Sequence, residues 1–329
     1  MGDNTGIEWT DATWNPVTGC TAVSTGCDHC YAQTLTERFE GTPGHYFEHG
    51  FAVQLRPHLL EQPLRWRRPR RIFVNSMSDL FHDTVPDDYI AQVWAIMATA
   101  ERHTFQVLTK RPARMRSLLS SNTFQTKVHD EWVRLGNPAH LPSWPLPNVW
   151  VGVSAENQKW AEIRVPILLT TEAALRFLSA EPLLGPIDLN SWCGPDNCEP
   201  NSGGPNGVRS PGTDRARLDW VIAGGESGTG AGVRPMHPDW PRALRDQCGA
   251  AGTAFTFKQW GAWAPLPTPN SDGAGRYVER ATGRTAADED MWTVDTGHWW
   301  GVRRVGKRRA GRDLDDQVWD QIPTPADVR

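Results

Sequence analysis

The sequence predicts an α/β protein built around a parallel (β/α) barrel, partial or full. Six short apolar runs, rich in β-branched residues, are each followed at once by a polar cluster. Such runs are typical of strands that are buried on both faces of a parallel sheet. Helical or loop material separates successive runs, and strands that alternate with helices form βαβ units. A mainly parallel sheet is therefore expected, either closed as a barrel or left open as a partial one.

The predicted strands follow one another along most of the chain. A first short strand is expected in TWNPVTG, before a cysteine-rich loop, and the later strands begin at Arg71, Thr104, Val149, Ala174, Asp219 and Thr253. Their polar clusters come where parallel α/β sheets collect reactive groups, at the carboxyl ends of the strands. We therefore expect a functional site at that end of the barrel.

Two helices are predicted between these strands. PDDYIAQVWAIMATAERH begins with Pro86 and two acids, and its apolar residues recur at helical spacing. PDWPRALRDQCGAAG, from Pro238, has a similar pattern and ends in glycine. Two segments interrupt the alternation, residues 121–148 with a short helix expected around HDEWVRL, and residues 191–217, which are rich in Gly, Pro, Asn and Ser and predict a surface insertion.

The domain organisation follows from this series. Residues 1–264 are predicted to form the barrel with its two insertions, and residues 265–329 a C-terminal extension packed on it. Within the extension, DLDDQVWDQIP predicts a short amphipathic helix from Leu314. No second domain with its own core is expected.

Composition limits the classes of protein. No apolar stretch approaches the roughly 18 uncharged residues that a membrane-spanning helix needs, and the acidic N-terminus lacks a secretory pattern. We therefore expect a cytoplasmic protein without membrane contact. The net charge of −4 gives no global attraction to nucleic acid, so such contact would depend on local patches.

The cysteine motif is C-x6-C-x2-C, formed by Cys20, Cys27 and Cys30 in a loop rich in Gly, Ser and Thr. In a reducing compartment, clustered cysteines favour metal binding over disulfides. Three thiolates without an obvious fourth ligand suit an iron–sulfur cluster with one iron left open. Zinc remains an alternative, with the fourth ligand supplied by His29, His45 or His49.

Nine segments carry a resemblance to known proteins: GCTAVSTGCDHCYA, NSMSDLFH, LTKRP, GVSAEN, LSAEPLLG, GGESG, MHPDW, FKQWG and AGRDLDDQVWDQIP. With them the chain resembles radical S-adenosylmethionine (SAM) enzymes, and more closely a phage-associated three-cysteine-motif family of unknown function. The resemblance runs from about Ile7 to Pro323. It implies a [4Fe–4S] cluster on the three cysteines, SAM on the fourth iron, and a separate partner protein and electron donor.

The sequence departs from the common radical SAM pattern at two places. Six residues instead of three separate the first two cysteines, and the Gly-Gly-Glu expected after the second strand is replaced by polar residues. The cofactor contacts are therefore predicted from position alone, with His29 before the third cysteine and Tyr31 after it. The predicted cofactor-binding residues are His29, Tyr31, Asn75, Ser76, Ser78, Asp79, Lys110, Ser154 and Glu156.

Charged residues at the strand ends form the predicted catalytic set: Lys110, Glu181, Glu226 and Lys258. Together they resemble a polar cavity for a zwitterionic cofactor and a polar substrate. Lys110 with Arg111 would suit the SAM carboxylate or a substrate phosphate, and Glu156 or Glu226 an ammonium or a ribose hydroxyl. The glycines beside Glu226 would let the backbone approach a ligand closely.

Two basic stretches are candidate nucleic-acid contacts. The first contains Arg65, Arg67, Arg68, Arg70 and Arg71, and the second is GVRRVGKRRAGR, from Gly301. If they share a face, they predict salt-sensitive nucleic-acid binding; otherwise the first is a solvated approach to its strand. Cys248 is interpreted as a small buried residue, and the role of Cys193 and Cys198 stays open.

The leading hypothesis is a divergent radical SAM-like enzyme that modifies or repairs a polar substrate such as a nucleic acid or nucleotide. An alternative is a non-catalytic module in which zinc or an iron–sulfur cluster staples the loop, and which binds DNA or the partner protein. A third is a barrel enzyme without a metal, in which Lys110 or Lys258 acts with the carboxylates in acid–base chemistry.

Overall fold

The computed structural model describes residues 5–140, 143–193, 217–269, 273–287 and 298–324. Its helices are α1 (Tyr31–Glu37), α2 (Gln62–Arg65), α3 (Asp87–Thr99), α4 (Pro112–Leu119), α5 (Asn122–Arg134), α6 (Gln158–Leu169), α7 (Asp239–Ala251) and α8 (Lys307–Ala310). Its strands are β1 (Ala12–Trp14), β2 (Val17–Thr18), β3 (Gln54–Leu55), β4 (Arg71–Val74), β5 (Thr104–Thr109), β6 (Val149–Ser154), β7 (Leu175–Ala180), β8 (Trp220–Gly224), β9 (Ala254–Gln259), β10 (Trp263–Pro265), β11 (Arg276–Glu279), β12 (Thr285–Ala286), β13 (Trp299–Arg304), β14 (Asp313–Leu314) and β15 (Gln317–Val318).

The central element is a parallel sheet with the order β1-β4-β5-β6-β7-β8-β9. Every strand pairs in parallel with its neighbour, which confirms the predicted α/β class and its parallel sheet. The six strands that were predicted after the cysteine loop are β4 to β9. Because β1 and β9 form the two edges, the sheet is a curled half-barrel and not a closed barrel.

The two faces of this sheet carry different apolar clusters. The outer face, with Ile72, Val107 and Val151, belongs to the large core that includes apolar residues of α3, α5, α6 and α7. The inner face carries a separate cluster, Trp9, Phe73, Trp150, Leu175, Phe177, Trp220 and Ile222. Trp9 precedes β1, and the other inner residues occupy the first three positions of their strands. Aromatic packing therefore closes the amino end of the half-barrel.

The segment between β5 and β6 is more helical than predicted. The short helix that was expected around HDEWVRL is the C-terminal half of α5, which begins at Asn122 after the capping residue Ser121. Phe124, Val128 and Trp132 are buried along one side of α5. This spacing of four residues attaches α5 to the core, so part of the expected interruption belongs to the helical layer. Of the second predicted insertion, residues 194–216, including Cys198, lie outside the described residues.

The C-terminal extension contains an antiparallel sheet with the order β10-β13-β11-β12, which was not predicted. The amphipathic helix predicted from Leu314 is wrong, because β14 and β15 form a hairpin there. Asp315 and Asp316, at its turn, have φ values of 55° and 60°, which end a helix but suit a tight hairpin turn. Arg242 and Arg245 hold the Asp315 carboxylate at 2.9 and 2.6 Å. The extension contacts the half-barrel where the Phe257 amide donates to the Trp319 carbonyl.

One expectation from composition concerns membranes. In the part of the chain that the structure describes, no helix has the length and apolar character that crossing a membrane requires.

Candidate functional site

A cavity of about 680 Å³ lies at the carboxyl ends of the strands. Cys20, Cys27 and Cys30 all line it, and none of the three forms a disulfide. The cavity also brings together most of the predicted site residues: His29, Tyr31, Asn75, Ser76, Ser78, Asp79, Lys110, Ser154, Glu181, Glu226 and Lys258.

Strand alternation explains this convergence. On β6, Trp150 belongs to the inner aromatic cluster, and Ser154, four residues later on the same strand, lines the cavity. On β7, Phe177 and Ser179 show the same change from aromatic to polar. Alternate residues of a strand face the same side, so one set of inward positions supplies both the aromatic floor and the polar site.

Cys27 lies beside a group of buried charges. The Lys110 ammonium is 3.8 Å from the Cys27 Sγ and forms an ion pair with Glu156. Glu156 is fully buried, accepts a hydrogen bond from the Ser24 hydroxyl at 2.7 Å, and pairs with Arg164 at 3.2 Å. Glu156 does not line the cavity. Glu156 therefore supports the cysteine loop through Ser24. Its predicted contact with a cofactor stays a prediction.

This environment changes the acidity of the Cys27 thiol. Burial raises its pKa, but the Lys110 ammonium and hydrogen bonds from the backbone and side chain of the loop outweigh burial, so the pKa is lowered. Gly26 is needed for this packing, because a Cβ there would lie 2.3 Å from the Glu156 side chain. The thiolate form, which binds metals, is therefore favoured at Cys27.

Cys20 lies beside a second ion pair. Arg111 Nη1 is 3.4 Å from the Cys20 Sγ and 3.3 Å from the Asp79 carboxylate. Asp79 also accepts hydrogen bonds from the Thr109 hydroxyl at 2.7 Å and from the Lys110 amide at 3.0 Å. Burial, together with Asp79, raises the pKa of Cys20 despite the Arg111 guanidinium. Asp79 therefore positions Arg111 against the first thiol.

Arg234 connects the end of β8 to the cysteine loop. Its guanidinium binds Glu226 through two contacts, at 2.5 and 3.1 Å, and donates to Asp28 at 3.0 Å and to the Thr25 carbonyl at 2.8 Å. The Glu226 carboxylate is thus engaged by Arg234, although Glu226 lines the cavity. Its clearest role is to position the loop that carries the thiols.

Glu181 and Lys258 form an ion pair at 3.1 Å across the intervening strand β8. Gly224 lies on that strand, and a Cβ there would approach a Glu181 carboxylate oxygen to 2.4 Å. A Cβ on Gly225 would lie 2.0 Å from the Trp260 carbonyl oxygen. The space that a Cβ would occupy at both glycines is therefore filled by protein, while Gly225 itself lines the cavity. The close approach of its backbone to a ligand stays a prediction.

The predicted residues after β4 have mostly structural partners. The Ser78 hydroxyl donates to the Val17 carbonyl at 2.8 Å, the Ser76 hydroxyl contacts the Asn15 side chain at 3.2 Å, and the Tyr31 hydroxyl donates to the Ser76 carbonyl. The Asn75 carboxamide, in contrast, has no hydrogen-bond partner among the described residues. The Ser154 hydroxyl donates to the Glu181 carbonyl at 3.1 Å.

The histidines proposed for zinc are unequally placed. His29 lines the cavity, and its ring occupies the space that a Cβ on Gly232 would need. His45 and His49 do not line the cavity, and His45 instead stacks on Phe39. Across the described ranges, no three His, Cys, Asp or Glu side chains are grouped closely enough to hold a single metal ion.

The two basic stretches lie at opposite ends of the half-barrel, one at the amino ends of the strands and one at their carboxyl ends. Arg65 to Arg71 lead into the amino end of β4, where Arg71 pairs with Asp11 at 3.1 Å and Arg70 lies over the Trp66 ring. Arg65, Arg67 and Arg68 are exposed there. In the second stretch, Lys307 lines the cavity at the carboxyl edge. The condition that both stretches share one face is not met.

Sequence reasoning missed two arginines, Arg164 and Arg234. Each follows a strand-end glutamate by eight residues, since Glu156 precedes Arg164 and Glu226 precedes Arg234. In both cases the arginine folds back on its glutamate, and both ion pairs support the cysteine loop. This repeated Glu-x7-Arg spacing was the available signal.

Comparison with known proteins identifies the family and nothing closer. No curated protein and no solved structure matches this chain. The family model described as "Protein of unknown function (DUF5131)" matches residues 4–323, nearly the whole sequence. The chain therefore belongs to the DUF5131 family.

Proposed function

We propose that this protein is an iron–sulfur enzyme of the radical SAM type, with Cys20, Cys27 and Cys30 as the ligands of a [4Fe–4S] cluster. One observation carries the proposal: three free thiols line a single cavity at the carboxyl ends of a parallel half-barrel. No other cysteine of the described residues lines it. Three thiolates leave one iron of such a cluster open to a cofactor.

The lack of a close group of three ligands among the described residues favours a cluster over a single zinc ion. The described side chains offer no group of three ligands for a single ion. A cluster binds each thiolate through a different iron, so its thiolates lie farther apart than the ligands of one ion. The cations beside the thiols fit the same group, because Lys110 and Arg111 offset the negative charge of bound thiolates.

When bound, a [4Fe–4S] cluster with an open iron supplies the electron that cleaves SAM to a deoxyadenosyl radical. The chain's own residues do the rest. Arg234 and the Glu156 network fix the loop, so that the thiols keep their positions. The aromatic cluster below the cavity excludes water from its floor. Lys110 and the Glu181–Lys258 pair offer charges that orient polar ligands.

Anaerobic purification with iron reconstitution tests the proposal. We expect a brown protein with about four irons per chain, absorbance that bleaches with dithionite, and deoxyadenosine production from SAM. Cys20→Ala, Cys27→Ala and Cys30→Ala should each lose these properties. Cys248→Ala is the matched control, because this buried thiol lies outside the cavity and should keep them.

Two outcomes would contradict it. Colourless protein that holds stoichiometric zinc and makes no deoxyadenosine would identify the non-catalytic module. Activity that survives in the triple cysteine variant would identify an enzyme that depends on acid–base chemistry alone.

A further inference from the structure

Two buried carboxamides beside the cavity have unpaired atoms. Asn75 and Gln259 line the cavity and are only 3% and 4% exposed. Among the described residues, neither Nδ2 nor Oδ1 of Asn75 has a hydrogen-bond partner, and neither has Oε1 of Gln259. Buried polar atoms are nearly always paired in folded proteins, because an unpaired one leaves its desolvation uncompensated. The two side chains thus indicate a ligand with hydrogen-bonding groups of its own.

The backbone holds Asn75 in an unusual conformation. Its φ of 61° lies in the left-handed region, which asparagine tolerates better than most residues. The Asn75 amide donates to the Trp14 carbonyl at 2.8 Å, and the Ser78 amide donates to the Asn75 carbonyl at 3.3 Å. The main chain is therefore fully engaged while the carboxamide is left unpaired. Such strain at a cavity wall is typical of functional positions.

Lys307 brings a cation to the same cavity, and two arginines follow it on α8. Lys307, on α8, lines the cavity and lies 3.7 Å from Glu8, which is a weak ion pair. Arg308 and Arg309 follow it, and both are exposed. Neither has an ion-pair partner within the described ranges. Because the net charge of the chain is −4, this local patch is what would attract an anion to the cavity.

We propose that the cavity takes a nucleotide, free or as an unpaired unit of a nucleic-acid strand. Its base would lie beside Asn75 and Gln259, so that Asn75, which was predicted to contact the cofactor, would contact the substrate instead. Its phosphate would lie at a basic rim that consists of Lys307, which lines the cavity, and the exposed Arg308 and Arg309 that follow it. Carboxamides pair with the donor and acceptor groups of base edges, and cationic side chains bind phosphate. This substrate class rests on the proposed function and names the molecule on which that function would act.

The volume and the position of the cavity agree with this assignment. The volume of about 680 Å³ is within the range of ligand pockets. A base within a duplex could not reach the carboxamides, so a strand must present it unpaired. The first basic stretch, Arg65 to Arg71, lies at the amino end of β4 and would not contact the nucleotide.

Fluorescence anisotropy tests the rim. The probes are fluorescein-labelled single-stranded DNA and RNA twelve-mers, with the iron-loaded full chain under anaerobic conditions. Arg308→Glu with Arg309→Glu should raise Kd at least tenfold and flatten the dependence of log Kd on log salt by about one per lost contact. The matched control is Arg67→Glu with Arg68→Glu, which reverses two exposed arginines at the opposite edge and should change neither quantity.

Competition with small molecules tests the contact of the base with Asn75 and Gln259. An unlabelled mononucleotide should displace the probe at concentrations at least tenfold lower than ribose 5-phosphate, and Gln259→Met should reduce that ratio. A mononucleotide that competes as well as the twelve-mers identifies a free nucleotide, and twelve-mers that bind far more tightly identify a strand. The proposal fails if no probe binds, if the Arg67/Arg68 pair and not the rim pair controls binding, or if ribose 5-phosphate competes equally.

The same preparations separate this inference from the proposed function. Iron content and deoxyadenosine formation are measured on each. Protein that holds iron and cleaves SAM but binds no nucleotide overturns the substrate class alone. Protein that holds no cluster but binds nucleotides through its rim overturns the proposed function alone.

Discussion

The two ends of the half-barrel interior are built from the same inward-facing strand positions, yet they differ completely in chemistry. At the amino end the rings of Trp9, Phe73 and Trp220 pack together, with centroids 4.7 Å apart for Trp9 and Phe73. At the carboxyl end the same strands carry ion pairs, thiols and unpaired carboxamides. The difference teaches that alternation decides which residues face inward, whereas position along the strand decides between core and site.

The polar end is organised to hold one loop. Glu156 with Arg164 and Glu226 with Arg234 are buried or half-buried ion pairs, and both contact the segment that contains Cys27. Desolvating such charges costs free energy that their attraction only partly offsets. The inner aromatic cluster has no charged member, so the one polar cost identified there among the described residues is the buried Trp9 Nε1, which has no hydrogen-bond partner. Stability should therefore reside at the amino end and chemistry at the carboxyl end.

The largest expected effect is the loss of stability when Trp220, at the amino end of the half-barrel, is replaced. Trp220 is fully buried, contacts the rings of Trp9 and Phe177, and donates to the Thr256 hydroxyl at 2.9 Å. Trp220→Ala should lower the free energy of unfolding by about 3–5 kcal/mol, because it leaves a cavity in packed aromatics. Urea denaturation followed by circular dichroism measures this loss. Trp220→Phe, which keeps most of the volume, should lose less and remains measurable if the alanine variant does not fold.

Shortening a side chain at the carboxyl end of the half-barrel provides the comparison. Leu35 also lines the cavity but is 38% exposed, so Leu35→Ala should cost less than about 1 kcal/mol. Equal losses for Leu35→Ala and Trp220→Ala would break the distinction between the two ends.

The next largest effect is a dependence of stability on pH, caused by a buried histidine in the loop after β8. His237 is 2% exposed, and its Nδ1 accepts a hydrogen bond from the Asp239 amide at 3.1 Å. Burial lowers the pKa of His237 to about 4, against an opposing influence of the Asp239 carboxylate. The folded pKa is below the unfolded value of 6.5, so stability is complete above pH 6.5 and falls as the pH drops towards 4. The total loss should approach about 3 kcal/mol.

Measuring the free energy of unfolding between pH 4.5 and pH 7.5, a window of about three units, checks this. His237→Gln should flatten the profile, because glutamine does not titrate. His58→Gln, at an exposed histidine, is the control and should leave the profile unchanged. An unaltered slope in the His237 variant would place the pH sensitivity elsewhere.

The sequence predicted the sheet well, because long apolar runs bounded by polar clusters mark strands that are buried on both faces. It did not distinguish a closed barrel from a half-barrel, since closure depends on whether β1 meets β9, which no local pattern records. The hairpin at Asp315 was mistaken for a helix for a similar reason. Its turn is held by Arg242 and Arg245, more than sixty positions away in sequence.

The site was predicted in location but only partly in role. Lys110 and Glu181 line the cavity as expected, since strand ends of a parallel sheet converge. Glu156 and Glu226 were expected to contact an ammonium or a ribose hydroxyl, and the structure adds ion pairs of their carboxylates with Arg164 and Arg234, which were not predicted. A sequence shows where a charge lies along a strand, but not which distant cation neutralises it.

The smallest expected effect tests how the polar end is assembled. A methyl group at Gly224 would lie 2.4 Å from a Glu181 carboxylate oxygen, so Gly224→Ala should push Glu181 away from Lys258. We expect a loss of about 1–2 kcal/mol of stability from this overpacking. Gly230→Ala is the control, because a Cβ there meets nothing within 4 Å, and it should be close to neutral.

A double-mutant cycle shows whether the ion pair is the reason for Gly224. If the alanine acts by breaking the Glu181–Lys258 contact, Lys258→Met should cost less in the Gly224→Ala background than in the natural chain. Additive losses would mean that Gly224 is required for backbone packing on strand β8 and not for the ion pair. In that case the pairing of charges across β8 would be incidental to the need for Gly224, and the thiols and carboxamides would be what distinguishes the carboxyl end from the aromatic one.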